Sequence, residues 1–346
     1  MDQRDWDKAL KLFEQAIDTR MVPGVAAACG VRERVLWKTV QGWAQIEGGR
    51  RALQEDTRFD LASLTKVMST LPSILVLASQ GQISLEDPVS RYLSAFQDSR
   101  WDQVTLRHLL THSGGLVSHR NYYETRQGLD AYLAAIASEP WDAEPGTQVS
   151  YSDLGFITLG AVVEAVSGTT LDRFAQDMVF GPMGMEAGFR PEESIRPTCA
   201  ATEMVEGTVL CGLVHDENAR AIGGVAGHAG LFGTLDAVSR YAMAWTGVHS
   251  PLSPAARRVA LRQYTTGLNG RRGLGWVLPG DSYDVGGDLW PDTGAGHTGF
   301  TGTSLQFDPV SGIWAVLLTN RVHFGRGTNI NPLRRRFHNI VMAILG

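Results

Sequence analysis

Ser63 and Lys66 stand three residues apart in Phe59-Asp60-Leu61-Ala62-Ser63-Leu64-Thr65-Lys66, ahead of Val67-Met68-Ser69-Thr70-Leu71. Side chains three apart share a helix face, so a hydroxyl and an amine would come within reach of each other. A serine hydroxyl is a weak nucleophile until a neighbouring base takes its proton, and a lysine can take or relay it. If Ser63 sits at a helix N-terminus, backbone N–H groups and the positive end of the dipole favour the charge that develops there. The same two residues also read as an N-cap and a solvated first-turn lysine. Of 31 basic residues only four are lysine, Lys8, Lys11, Lys38 and Lys66, and every other one is arginine. Arginine stays protonated, whereas a buried or crowded lysine can shed its proton. A lysine at 66 in so arginine-biased a chain therefore points beyond surface charge.

Two further stretches could complete a site. In Pro145-Gly146-Thr147-Gln148-Val149-Ser150-Tyr151-Ser152-Asp153-Leu154-Gly155, a turn and a short extended piece lead into a helix near Leu154. Tyr151 lies on that connection, and a phenol can act as a base when a nearby ammonium stabilises its phenolate. Alternatively, Tyr151 is a half-buried anchor and Asp153 the cap of the helix. In Gly296-His297-Thr298-Gly299-Phe300-Thr301-Gly302-Thr303, Gly299 permits close approach of another backbone or a ligand to a late strand. An N–H from that edge and the Ser63 N–H would make a two-donor oxyanion hole; the plainer reading is a strand start with a loose turn.

The elements that must position these residues follow from hydrophobic periodicity. Trp6, Ala9, Leu10, Phe13, Ala16 and Ile17 predict a helix from Asp5 to about Thr19, broken by Val22-Pro23-Gly24. Residues Val25 to Val31 and Val35 to Trp43 predict paired strands, and a helix runs from Ser63 to Ser79. The middle of the chain is mostly helical, with stripes at Leu106–Leu110, Leu129–Ile136, Leu154–Val166, Thr170–Met178 and Val238–Trp245. Strand character returns at Leu274–Val277, Gly299–Phe307 and Ile313–Thr319, the last continuously apolar and so central. A final helix has Asn331 as N-cap and Pro332 in its first turn. One sheet domain built from both termini is expected, residues 1–62 and 270–346. A mostly helical domain, 63–269, is inserted within it, with the active site between them.

At 346 residues, 43% hydrophobic and 19% charged, the chain can bury a real core. A net charge of −5 with pI ≈ 6.0 gives no reason to expect nucleic acid or an anionic membrane surface as a partner. Three cysteines, Cys29, Cys199 and Cys211, are too scattered for a disulfide framework or a zinc cluster. No apolar stretch reaches the length of a membrane-spanning helix, and no apolar segment follows the charged Met1-Asp2-Gln3-Arg4-Asp5. A cytoplasmic location is the expectation. No G-x-S-x-G elbow occurs, which argues against an α/β-hydrolase.

Taken together, Ser63-x-x-Lys66, Tyr151-Ser152-Asp153 and His297-Thr298-Gly299 resemble the serine β-lactamase and penicillin-binding protein superfamily. The branches closest in pattern are class C β-lactamases, family VIII carboxylesterases and the D-aminopeptidase or DD-peptidase group. The resemblance extends to Leu109-Leu110-Thr111-His112-Ser113-Gly114-Gly115-Leu116 and to Gly223–Phe232, both assigned structural roles here. It implies an α+β, β-lactamase-like fold: an antiparallel sheet flanked by N- and C-terminal helices, with the helical domain inserted. It also implies acyl transfer. Ser63 attacks a carbonyl, Lys66 and Tyr151 handle its proton, the N–H groups of Ser63 and Phe300 hold the oxyanion, and water releases the acyl group. No cofactor or metal is implied. The pattern departs in two places. His297 stands where β-lactamases carry a lysine that holds the substrate carboxylate, and Asp153 stands where asparagine is usual. Both departures point away from efficient β-lactam hydrolysis and towards a carboxylesterase acting on small acyl esters. The alternatives are a D-amino-acid-type peptidase or amidase, and a receptor for β-lactams or peptidoglycan fragments that stays acylated. Tyr122, Tyr123 and Trp290 are expected to line the cleft, on aromatic character alone.

Overall fold

The structure, a computed structural model, describes residues 6–346. The stripe of Ala9, Phe13 and Ala16 folds as helix α1 (Asp7–Asp18), and the expected start at Asp5 lies outside the described residues. Strands β1 (Gly24–Val31), β2 (Arg34–Gln45) and β3 (Arg51–Ala52) form a meander, and β4 (Phe59–Asp60) leads to Ser63. The helical middle holds α2 (Leu71–Ser79), α3 (Leu106–Leu110), α4 (Leu129–Ser138), α5 (Asp153–Ser167) and α6 (Leu171–Ala175). It continues through β5 (Ala187–Phe189), the hairpin β6–β7 (Met204–Val205, Thr208–Val209), α7 (Glu217–Ala221), β8 (Leu231–Gly233), α8 (Leu235–Thr246) and α9 (Pro254–Ala260). Strands β9 (Ala295–Thr298), β10 (Ser304–Phe307) and β11 (Ile313–Thr319) and helix α10 (Asn331–Leu345) end the chain.

The main sheet has the order β3-β2-β1-β11-β10-β9, so strands from the two ends of the chain meet at the antiparallel β1–β11 pair. Strand side chains alternate between faces, and β11 is buried on both. Ile313, Ala315 and Leu317 enter a core with Phe13 of α1 and Phe337 of α10. Trp314, Val316 and Leu318 enter the larger core shared with α2, α5 and α8. A second sheet, β4-β8-β5, supports the approach to Ser63. No single helix among the described residues is long and apolar enough to cross a membrane.

Four expectations need correction. Leu274–Val277 forms no strand, only isolated bridges, because Gly275 turns the backbone at φ 71° and Gly273 N–H and Leu274 N–H donate to Trp276 O and Ala260 O. Gly299–Phe307 is not continuous: residues 299–303 turn, with Gly302 at φ 118°, so His297 lies on β9 and only Ser304–Phe307 on β10. The helix after Ser63 opens with a π-turn at Lys66–Thr70 before α2. Pro72 has no N–H to give to Met68, and its ring would crowd that carbonyl, so the preceding turn widens. Asn331 caps nothing: it is the first residue of α10, and its Oδ1 accepts from Arg334 Nη1 at 2.8 Å.

Candidate active site

Ser63 is half-buried at the end of a short, strained connection. Ala62, just before it, has φ 47°, a left-handed conformation that costs a non-glycine residue of order 1 kcal/mol. The surroundings hold it there. Buried Asp60 accepts from the N–H of Ala62 (2.8 Å) and of His215 (2.6 Å). From the β9–β10 turn, Thr301 Oγ1 donates to Asp60 O (2.7 Å) and Thr303 Oγ1 to Leu61 O (3.1 Å). Gly299 makes that approach possible, since a Cβ there would lie 2.4 Å from Leu61 O and 2.1 Å from Thr303 Oγ1.

Lys66 is wholly buried, and its Nζ donates to Asp153 Oδ1 (2.7 Å), Ser63 Oγ (3.1 Å) and His228 O (3.2 Å). An ammonium has three protons, and here each has an acceptor. Burial alone would push the Lys66 pKa down, but the charge of Asp153 and the phenol of Tyr151 outweigh it and raise it. Burial likewise works against the Asp153 carboxylate, yet Lys66 and His119 (Nδ1 to Oδ2, 3.3 Å) hold its pKa well below the usual carboxylate range. Asp153 is not the cap of α5; Ser152 is, its Oγ accepting from Gly155 N–H.

Tyr151 lies with its ring 4.9 Å from Lys66 Nζ, against His112 (4.5 Å), Tyr283 (5.5 Å) and His297 (6.0 Å). Burial raises its pKa, and Lys66 only partly opposes that, so the phenol is neutral in the resting site. Lys66 and Ser63 both bear on its hydroxyl. His112 is buried and accepts from Ser152 N–H through Nδ1 (3.0 Å), which leaves its proton on Nε2.

Ser63, Tyr151, His297, Gly299 and Phe300 all line one cavity of about 400 Å³. His297 is buried, and that burial, followed by the charges of Lys66 and Arg272, lowers its pKa to about 3, so it is neutral. The arginines in the same wall each hold a partner, while the buried Arg272 Nε and Nη1 and Arg334 Nε have none among the described residues. Arg334 donates to Gly299 O (3.0 Å) and Thr303 O (2.8 Å), and Arg321 to Phe300 O (2.9 Å). Arg326 pairs with Glu203 and Glu217, and Arg272 with Asp281 (3.0 Å). The N–H groups of Ser63 and Phe300 donate to no other group among the described residues and are free to meet a ligand oxygen.

All seven residues expected at the site converge. The aromatic expectation does not hold: Tyr122 bonds Glu139, Trp290 packs on His338 in the opposite core, and neither they nor Tyr123 reach the cavity, which Tyr283 lines instead. Sequence reasoning missed His119, Arg272 and Tyr283. It singled out the stretches carrying His112 and His228 and gave them no part in the site, yet one braces the Tyr151 segment and the other supplies a carbonyl to Lys66.

A family model described as Beta-lactamase matches residues 10–339. An Escherichia coli (strain K12) protein carrying the provisional name D-alanyl-D-alanine carboxypeptidase is 32% identical over 310 residues, covering 77% of this chain and 70% of the relative. An N-acetylmuramyl-L-alanine amidase of Bacillus subtilis (strain 168) is 29% identical, covering 91% and 82%. Among solved structures, EstCE1, a hydrolase with promiscuous acyltransferase activity, superposes with a TM-score of 0.80 at 24% identity, covering 98% of this chain and 99% of that one. A class C beta-lactamase does so at 0.79 and 18%, covering 99% and 97%.

Proposed function

The chain belongs to the beta-lactamase family, and from that premise we propose that this serine hydrolase is a carboxylesterase acting on small acyl esters through an acyl-enzyme on Ser63. Ser63 Oγ attacks the ester carbonyl while its proton passes into the group formed by Lys66, Tyr151 and Asp153. These three titrate as a set. The N–H groups of Ser63 and Phe300 receive the oxyanion, where each donor contributes about 3 kcal/mol. The alcohol leaves with a proton from the same set, and water attacks the acyl-enzyme by the reverse route.

The observation that carries the ester reading is the neutral, buried His297. A β-lactam or a peptide with a free C-terminus brings a carboxylate to this edge, and a cation there would hold it. Here the imidazole is uncharged and each nearby arginine already serves a backbone carbonyl or a carboxylate, leaving only Arg272 Nε and Nη1 and Arg334 Nε as buried arginine nitrogens of this wall without a partner among the described residues. An ester without a charged end needs no such partner. The names of the curated relatives favour a second reading, a peptidase or amidase on D-amino-acid or muramyl peptides. A panel of a chromogenic short-chain ester, a chromogenic cephalosporin and a D-alanyl anilide separates the two. Ester turnover is expected to dominate and to vanish in Ser63→Ala. Full ester activity in that variant would sink the mechanism, and faster anilide turnover would install the second reading.

A further inference from the structure

Arg32, Arg257, Arg258, Arg262 and Arg271 converge on a second cavity of about 670 Å³ that shares no lining residue with the first. None of the five forms an ion pair among the described residues, whereas Arg58, Arg107, Arg173, Arg190 and Arg240 each hold a carboxylate. Arg257 Nη1 donates to Ala244 O and Gly247 O (2.8 Å each), and its Nε is buried without a partner. Asp292 is the one carboxylate in the wall; Glu33, which accepts from Val248 N–H, acts on Arg257 from beside it. Trp245, Leu261 and Leu278 add apolar surface.

Like charges gathered in a concavity repel one another, and a chain of net charge −5 gains no solubility from such a cluster. What the arrangement does favour is an anion. Guanidinium groups pair with phosphate and carboxylate through two parallel hydrogen bonds, and several around one cavity match several anionic groups on one molecule. The volume falls within the range of small-molecule sites, roughly 300–1,000 Å³. The location is also informative. Arg272 and Val277 face the Ser63 cavity, while their neighbours Arg271 and Leu278 face the arginine cavity, as adjacent residues of an extended segment do. Arg272 and Val277 bridge, and Leu278 N–H donates to Arg271 O (3.0 Å), so one two-ply segment is the wall between the cavities.

We propose that this second cavity binds a small anion carrying at least two phosphate or carboxylate groups. Arg258 and Arg262 are exposed, so removing them spares the core, and Arg336 is an exposed arginine outside the cavity. The test is calorimetric titration of the full chain with pyrophosphate and, separately, citrate, at constant ionic strength. Saturable binding of one equivalent of at least one probe is expected, weakened about tenfold or more in R258A/R262A and unchanged in Arg336→Ser. A preference for one probe assigns the ligand class to phosphate or carboxylate. Binding that survives R258A/R262A would place the anion elsewhere and overturn the proposal. Failure of both probes to saturate overturns it too, as does saturation only by nucleic acid or anionic vesicles.

Discussion

Lys66 has each of its protons committed, to Asp153, Ser63 and the His228 carbonyl. With Nζ donating to Ser63 Oγ, the serine's own proton must point elsewhere, and Tyr151 is the other polar group bearing on it. Asp153 is what keeps the ammonium charged against its burial. Its carboxyl titrates lower in the folded chain than in the unfolded one, so its stabilisation is present above the ordinary carboxylate pKa and is lost as pH falls through the depressed value. Lys66 titrates higher when folded, so its share is present below the ordinary lysine pKa and is lost as pH rises through the raised one. The pair is intact across the neutral range. In Asp153→Asn, burial acts on Lys66 with its main counter-charge removed and its pKa falls. The pH profile of ester turnover should then gain a Lys66 titration at lower pH than in the parent. An unchanged profile counts against the tuning of Lys66 by Asp153.

At the scale of elements, the site is a junction between the β9–β10 turn and the β4-to-α2 connection. The two touch through Thr301, Thr303 and Gly299, which fix the peptides just before Ser63. Gly299→Ala sets a methyl 2.4 Å from Leu61 O, against backbone rather than a flexible side chain. The turn must then withdraw, taking Phe300 N–H with it. Ester kcat should drop about 100-fold, in line with misplacing reacting groups by an ångström, with a smaller change in KM. Parental kcat in that variant would show that the close approach does not set the geometry. A second junction is the glycine-rich stretch before β8, where a Cβ on Gly227 would lie 2.0 Å from Phe156 O of α5, and Thr70 Oγ1 donates to Gly227 O. That seam brings the His228 carbonyl to Lys66.

Over the whole molecule, β11 separates two cores that meet the candidate site in different ways. Leu317 faces the core between α1, α10 and the sheet, which holds none of the proposed catalytic residues and reaches the Ser63 cavity through Ile330. Leu318 faces the core that also holds Leu61, Leu64 and Phe156. Both leucines are fully buried, so truncation to alanine should cost about 2–5 kcal/mol in either case, read as a lower urea midpoint. In Leu317→Ala the kcat of the folded fraction should match the parent. A lower kcat there would mean that this core is mechanically coupled to the site, through Ile330 or across the sheet.

The Ser63–Lys66 pair and the strands β1, β2 and β11 were legible in the sequence because their signals are local, whereas Tyr151, Asp153 and His297–Phe300 were joined to that pair only through resemblance to a known family. Three-residue spacing puts Ser63 and Lys66 on one face, and a seven-residue, partly β-branched apolar run such as Ile313–Thr319 fits a strand buried on both sides. The scarcity of lysine, four among 31 basic residues, likewise marks Lys66 at the level of sequence. The β9–β10 split, the π-turn at Lys66 and the bridges at 272–277 were not legible, since each depends on which backbone groups find partners far along the chain. Charge states escaped for the same reason. His297 is neutral because tertiary packing removes water from it, and Lys66 is charged because α5 brings Asp153 within 2.7 Å. Sequence alone determined which groups are present and which share a helix face. Desolvation and through-space charge, which only the tertiary structure decides, determined which of them hold a proton.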